Sequence, residues 1–253
     1  MVRLQKFISL LPLLLFAACS HPTQSQAPKT PAQQPQVSQP QVSTTANEPT
    51  TPFSAALAAA GDSRPVIVAF GDSLTAGYGA GPGQSYPDFL QEKLAKNGYD
   101  YRMVNLGVSG NTTKDGLARL PDVLRLKPQL VIVGFGGNDG LRGVPVSEIR
   151  ENLSQILVAL QRAHAKVLLA GITLPPNYGE AYVTSFNAVY PELASQYHVP
   201  LVPFILQDVW DKPGMMQADG IHPTGEGNAL VALNILPAVL PLLHKSEAHG
   251  VSR

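Results

Sequence analysis

The sequence predicts a doubly wound α/β sandwich, a parallel sheet covered by helices on both faces. Two observations carry this. Continuous apolar runs of strand length recur five times, and the segments between them are long enough for crossover helices, several with apolar residues at helical spacing. The first run is Val66–Phe70 (VIVAF), directly after Pro65. A strand buried on both faces shows such a run instead of polar alternation. Tyr86, Leu90 and Leu94, at i, i+4 and i+8, then mark one face of a helix. Tyr101–Asn105 is the second strand, and the helical segment after it contains Pro121, where a kink or a restart is expected. Leu130–Phe135 is the third strand, followed by a helix whose inner face is Ile149, Leu153, Ile156 and Leu160. Val167–Ile172 is the fourth, and Tyr182, Phe186, Val189 and Leu193 trace the next helix. Leu201–Phe204 is the fifth strand, and Gly225–Leu243 supplies the last helix, with a second kink expected at Pro237. Sheets of this kind bind ligands beyond the carboxyl ends of their strands, so the turns after each strand are the place to look for chemistry.

The chain has 253 residues, with 18 basic and 18 acidic side chains and a formal net charge of +0. Such a balance offers no field for a phosphate backbone, and no run of Lys and Arg appears, which argues against a nucleic-acid partner. A hydrophobic fraction of 44% with 14% charged residues is that of a globular chain, and one domain with appendages is expected. The single cysteine excludes an internal disulfide and a cysteine-rich zinc site. No metal and no cofactor are expected, and a monomer is.

Arg3 and Lys6 precede the apolar run Phe7–Ala18, which is too short for a bilayer core needing about 20 residues. Residues 1–18 therefore read as a signal peptide. Small residues, Ala17 and Ala18, stand directly before the lone Cys19, an arrangement that resembles the lipobox of bacterial lipoproteins. That resemblance implies acylation of Cys19 as the first mature residue and, with Ser20 after it, an outer-membrane lipoprotein. Phe16 departs from the usual Leu, and ordinary signal cleavage is the alternative. In residues 20–52, 24 of 33 positions are Pro, Gln, Ser or Thr, with no aromatic residue. Such a segment cannot bury a core and reads, over 19–52, as an extended tether. The folded domain is expected over 53–245, with a tail at 246–253.

Each predicted strand end carries polar or glycine-rich sequence. Gly71-Asp72-Ser73-Leu74 follows the first strand and places a serine hydroxyl at a strand-to-helix turn, although helix capping would explain the same residues. Asn105–Thr112 (NLGVSGNT) follows the second and Gly136–Gly140 (GGNDG) the third. Glycines admit close backbone approach and an Asn amide donates N–H, so these blocks could hold an oxyanion; the alternative is that each is only a turn. Asp219 lies three residues before His222, close enough for one turn to bring the carboxylate to the ring. Of the six histidines, His222 has this neighbour; the others lie in the tether, at helix ends or in the tail.

Together these blocks resemble the SGNH or GDSL hydrolase superfamily: Ser73, Gly107, Asn138 and His222 stand in the family's order. The segments GGNDGLRG (136–143), LPPNYG (174–179) and MQADGIHP (216–223) are similar to its bacterial thioesterase I, lysophospholipase and arylesterase branch. The resemblance covers about residues 65 to 240. It implies a three-layer αβα sandwich with five parallel strands and a serine esterase with Ser73 as nucleophile, His222 as base and Asp219 as its orienter. The backbone N–H groups of Ser73 and Gly107 and the Asn138 amide would form the oxyanion hole. Asp72 and Asp139 would serve the turns and take no chemical step. The segment 174–179 would be the branch's mobile substrate loop, with Pro175 and Pro176 stiffening it and Tyr178 available to line an acyl groove; a rigid strand-to-helix connection is the alternative. The substrates so implied are aryl and short- or medium-chain acyl esters, lysophospholipids or acyl thioesters. The alternatives are O-acetyl removal from cell-wall glycans and a lipoprotein binding module that inherited the fold without using it.

Overall fold

A computed structural model describes residues 62–245. The signal segment, Cys19, the tether, residues 53–61 and the tail lie outside the described residues. Five parallel strands form one sheet in the order β2-β1-β3-β4-β5: β1 (Val66–Gly71), β2 (Arg102–Asn105), β3 (Leu130–Gly134), β4 (Lys166–Ala170) and β5 (Leu201–Val202). The helices are α1 (Ser73–Ala76), α2 (Tyr86–Lys96), α3 (Thr113–Arg125), α4 (Gly137–Leu141), α5 (Val146–Arg162), α6 (Glu180–Tyr197) and α7 (Gly225–Val239).

The two-residue side-chain period of β1 divides the core. Val66, Val68 and Phe70 join the cluster formed with α3, α5 and α6, while Ile67 and Ala69 join the one formed with α2 and α7. Both faces are therefore covered, which is why the strand reads as an unbroken apolar run. The predicted three-layer sandwich is the observed architecture. The strand order reverses between β1 and β3, and the crevice at their carboxyl ends is where this topology opens a binding site.

Three local expectations differ from the structure. No restart occurs at Pro121, since α3 runs through it to Arg125. A proline removes one donor, and a helix fixed on its inner side by the buried Leu120 and Val123 keeps its course. At Pro237 the interruption is delayed: α7 continues to Val239 and then tightens into a 3₁₀ turn at Leu240–Leu242. The fifth strand has only two residues, flanked by Pro200 and Pro203, neither of which has an N–H to extend the ladder.

Helix α3 packs tightly on the sheet at Gly116, where an added Cβ would lie 2.8 Å from Phe135 Cζ and 2.9 Å from Cε2. Phe135 is 1% exposed and stacks edge-on against Phe70 with ring centroids 4.8 Å apart, so the ring has little room to yield. Helix propensity favours alanine there by about 1 kcal/mol, whereas overpacking costs about 1–3 kcal/mol. Gly116→Ala is expected to lower the thermal midpoint in a calorimetric scan; an unchanged or raised midpoint would mean that α3 slides to admit the methyl group.

Candidate active site

Ser73 opens α1, a helix of 4 residues that Asp72 caps by accepting from Leu74 N–H at 3.1 Å and that the left-handed Gly77 ends. This turn sets the hydroxyl at the mouth of the crevice. His222 comes from the segment before α7, where the chain doubles back. Gln217 N–H donates to His222 O at 2.8 Å and Thr224 N–H to Met215 O at 2.8 Å, closing a tight loop around Asp219–His222.

The two segments meet. His222 Nε2 lies 2.8 Å from Ser73 Oγ, and His222 Nδ1 lies 2.7 Å from Asp219 Oδ2. The other carboxylate oxygen, Oδ1, accepts from the backbone N–H groups of Ile221 at 2.9 Å and His222 at 3.0 Å. Asp219 thus holds the loop with one oxygen and the ring with the other. Burial pushes its carboxyl up, but the hydrogen bonds from the His222 ring and from the two N–H groups prevail and hold it below its ordinary value. The ring leans on Tyr78 with centroids 4.7 Å apart. Gln217 Nε2 donates to both Tyr78 O (2.6 Å) and Pro223 O (2.9 Å), tying the histidine loop to the serine segment. The sequence reading missed Tyr78 and Gln217, because their role depends on two distant segments meeting.

Asn138 lies in α4, after β3, and its Nδ2 donates to Asn111 O at 3.0 Å. Next to it, Asp139 is 1% exposed; its carboxylate accepts from Thr113 N–H at 2.9 Å and from Thr113 Oγ1 at 2.6 Å. The third turn is thereby fastened to the start of α3, which fits the supporting part expected for Asp139. Leu174 is buried and packs where a Cβ on Gly140 would stand, rooting the 174–179 segment on α4. Within that segment Pro176–Tyr178 forms a 3₁₀ turn, with Pro175 and Pro176 exposed and Tyr178 half-buried.

Gly107 requires a correction. Its N–H donates to Asn105 Oδ1 at 2.9 Å, so it is not the free oxyanion donor expected of it. The lack of a side chain serves the protein's own backbone instead: a Cβ would lie 2.2 Å from Ala76 N. Asn105 completes this packing, its Nδ2 donating to Thr75 O at 2.8 Å and to Ser85 Oγ at 3.2 Å. Like Ser109 N–H before it, the N–H of Gly110, a residue with φ of 81°, has no acceptor among the described residues. It immediately precedes Asn111, the residue that holds Asn138. The same is true of Ser73 N–H, which finds no acceptor among the described residues. The arrangement as a whole offers a base-linked hydroxyl beside unspent N–H donors. Among the described residues no three His, Cys, Asp or Glu side chains converge as a metal-ligand set.

The sequence model of the GDSL-like lipase/acylhydrolase family matches residues 69–230. Esterase TesA of Pseudomonas aeruginosa is 46% identical over 178 residues, covering 70% of this chain and 89% of that protein. The thioesterase 1/protease 1/lysophospholipase L1 of Escherichia coli is 40% identical over 179 residues, covering 70% and 85%. The crystal structure of TesA aligns with a TM-score of 0.68 at 45% identity, covering 70% of this chain and 99% of that one.

Asp72 carries a consequence for pH. Burial at 4% exposure pushes its carboxyl up to about 7, against the Leu74 N–H bond and helped by the charge of Asp139; a side-chain hydrogen bond from Asn138 lowers it slightly. The folded protein therefore holds this proton more tightly than the unfolded chain does. The resulting stabilisation is complete below its ordinary value of 3.8 and is lost as pH rises to about 7. Asp72→Asn keeps a cap oxygen and has no proton to lose. The thermal midpoint of the variant relative to the original protein is expected to rise between pH 4 and 7 and to level off above; a difference constant with pH would contradict the raised value.

Proposed function

The chain belongs to the GDSL-like lipase/acylhydrolase family and is a serine ester hydrolase, and from that premise we propose that it works through an acyl-enzyme formed on Ser73. The observation that carries the proposal is the continuous hydrogen-bonded line Asp219–His222–Ser73. With Nδ1–H given to Asp219, the Nε2 lone pair faces Ser73 Oγ, takes its proton and frees the oxygen to attack an acyl carbonyl. The ionised Asp219 supports the imidazolium so formed. His222 then returns the proton to the leaving oxygen, and water repeats the sequence on the acyl-enzyme.

The charge that develops on the carbonyl oxygen goes to the N–H groups of Ser73 and Gly110 and to the Asn138 amide, with Gly110 replacing Gly107. Three of the exposed large apolar side chains belong to the segments that build the site: Tyr78 at 53% exposure against the His222 ring, Ile221 at 45% before it, and Leu141 at 39% in the helix of Asn138. They favour an acyl or aryl group lying on the surface. The cavity adjoining Asp72, Leu74 and Thr75 measures about 10 Å³ and is too small for a chain. The substrates proposed are aryl and short- or medium-chain acyl esters, with lysophospholipids and acyl thioesters suggested by the name of the Escherichia coli relative. The 174–179 segment, with Pro175, Pro176 and Tyr178, is proposed to border the acyl group.

We also propose that the protein is exported and anchored at the outer membrane through acylated Cys19, a reading supported by the charged, apolar and small-residue order of residues 1–19 and the spacer after them.

With p-nitrophenyl esters from acetate to palmitate, turnover is expected to be lost in Ser73→Ala and to span several chain lengths in the original protein. Activity on acetate alone would instead favour a glycan O-acetyl esterase, and no turnover by folded protein would favour a binding module. Asn138→Ala is expected to lower kcat by roughly 100- to 1,000-fold with the fold intact, and an equal kcat would remove Asn138 from the site. Radiolabelled palmitate fed to producing cells is expected to label the protein but not Cys19→Ala; equal labelling of both would end the lipoprotein reading.

A further inference from the structure

Arg119, on α3, makes hydrogen bonds that the reaction above does not call upon. Its guanidinium is half-buried, with the Phe70 ring centroid 5.1 Å from Cζ. Among the described residues, none of its hydrogen bonds goes to a carboxylate. Nε donates to Asn111 Oδ1 at 2.7 Å, Nη1 to Leu106 O at 3.1 Å and Nη2 to Gly71 O at 3.3 Å. A cation would not be sunk against three neutral oxygens for charge pairing; the bonds have another use.

The three acceptors identify it. Gly71 is the last residue of β1, just before Asp72 and Ser73. The paired register of β1 and β2 ends at Ala69↔Asn105, and beyond Leu106 one backbone bond between the two segments continues it, Val108 N–H to Gly71 O at 3.1 Å, on the same carbonyl that Arg119 reaches. Leu106 and Asn111 bracket the turn containing Gly110, and the Asn111 carbonyl accepts from Asn138 Nδ2 at 3.0 Å. One guanidinium therefore fastens the end of β1, both ends of the 106–111 turn and, through Asn111, the Asn138 side chain. We infer that Arg119 is a positioning residue for oxyanion binding, holding the Ser73, Gly110 and Asn138 donors in register. The inference rests on the acyl-enzyme reading above. A lysine cannot substitute, because its single nitrogen cannot reach three divergent oxygens as a planar fork does.

A purely structural bolt would alter stability and leave the kinetics of the folded protein unchanged. A positioning role lowers kcat with KM little changed and weakens binding of an oxyanion mimic by the same factor as kcat/KM. The test uses the full chain with Arg119→Lys, Asn111→Ala, their double variant and Ser73→Ala. Each is assayed on p-nitrophenyl butyrate, for inhibition by an aryl trifluoromethyl ketone, whose serine adduct carries an oxyanion, and for thermal midpoint. Arg119→Lys is expected to lose roughly 10- to 100-fold in kcat, the scale of a small misplacement of catalytic groups, with a matching rise in inhibition constant. Asn111→Ala, which removes only the Nε bond, is expected to show a smaller loss of the same kind. The double variant should fall no further than Arg119→Lys, because both act through one contact. Wild-type kcat and inhibition in folded Arg119→Lys, beside an inactive Ser73→Ala, would remove Arg119 and leave the acyl-enzyme standing. Should Arg119→Lys fail to fold, wild-type kinetics in Asn111→Ala would overturn the inference equally. Retained turnover in Ser73→Ala would instead strike the acyl-enzyme reading itself, and the inference with it.

Discussion

The contact between His222 Nε2 and Ser73 Oγ joins residues 149 positions apart, and most of the surrounding structure can be understood as holding it at 2.8 Å. Neither partner is rigid by itself. Ser73 depends on a helix of only 4 residues, and His222 on a loop closed by a few backbone hydrogen bonds. Precision comes from what each segment is fastened to: β1, buried on both faces, for the serine, and α7 for the histidine loop. Gln217 then bridges the two segments directly, donating to Tyr78 O and Pro223 O. A reacting pair assembled this way needs no reorganisation before proton transfer.

Around that contact the protein buries polar groups that would be costly if left alone. Asp72, Asp139 and Thr113 are all nearly inaccessible. Each is satisfied by a neighbour: Leu74 N–H of α1 for Asp72, Thr113 at the start of α3 for Asp139, and Asn152 Nδ2 of α5, 3.1 Å from Thr113 Oγ1, for the threonine. A buried polar network of this kind is worth more as a set of geometrical constraints than as net stability, since an unpaired member would cost about 1–3 kcal/mol. The turns after β1, β2 and β3 are consequently not independent loops. Moving one strains the bonds of the others.

The glycines of the second turn show how far a sequence pattern carries. Both Gly107 and Gly110 stand in NLGVSGN, and nothing in the string separates a glycine needed for backbone contact from one that offers a free N–H. The distinction is made by Asn105, whose side chain takes the Gly107 donor, and by α1, which leaves no space for a Cβ there. Arg119 was equally silent, because an arginine on a helix is most often a solvated face, and its acceptors come from residues as far away as Gly71.

The sequence by itself determined the layer architecture, the strand positions to within two residues, the strand-end blocks and the pairing of Asp219 with His222. These follow from local rules: apolar runs report burial on both faces, helical spacing reports one packed face, and a separation of three residues brings a carboxylate to a ring. Tertiary structure alone decided which glycine N–H is free, that Tyr78 and Gln217 support the histidine, and that α3 passes through Pro121 without restarting. Each of these depends on which distant atoms compete for the same donor or the same space. Such competition is settled only when the chain is folded, because it is a property of three-dimensional neighbours and not of spacing along the chain.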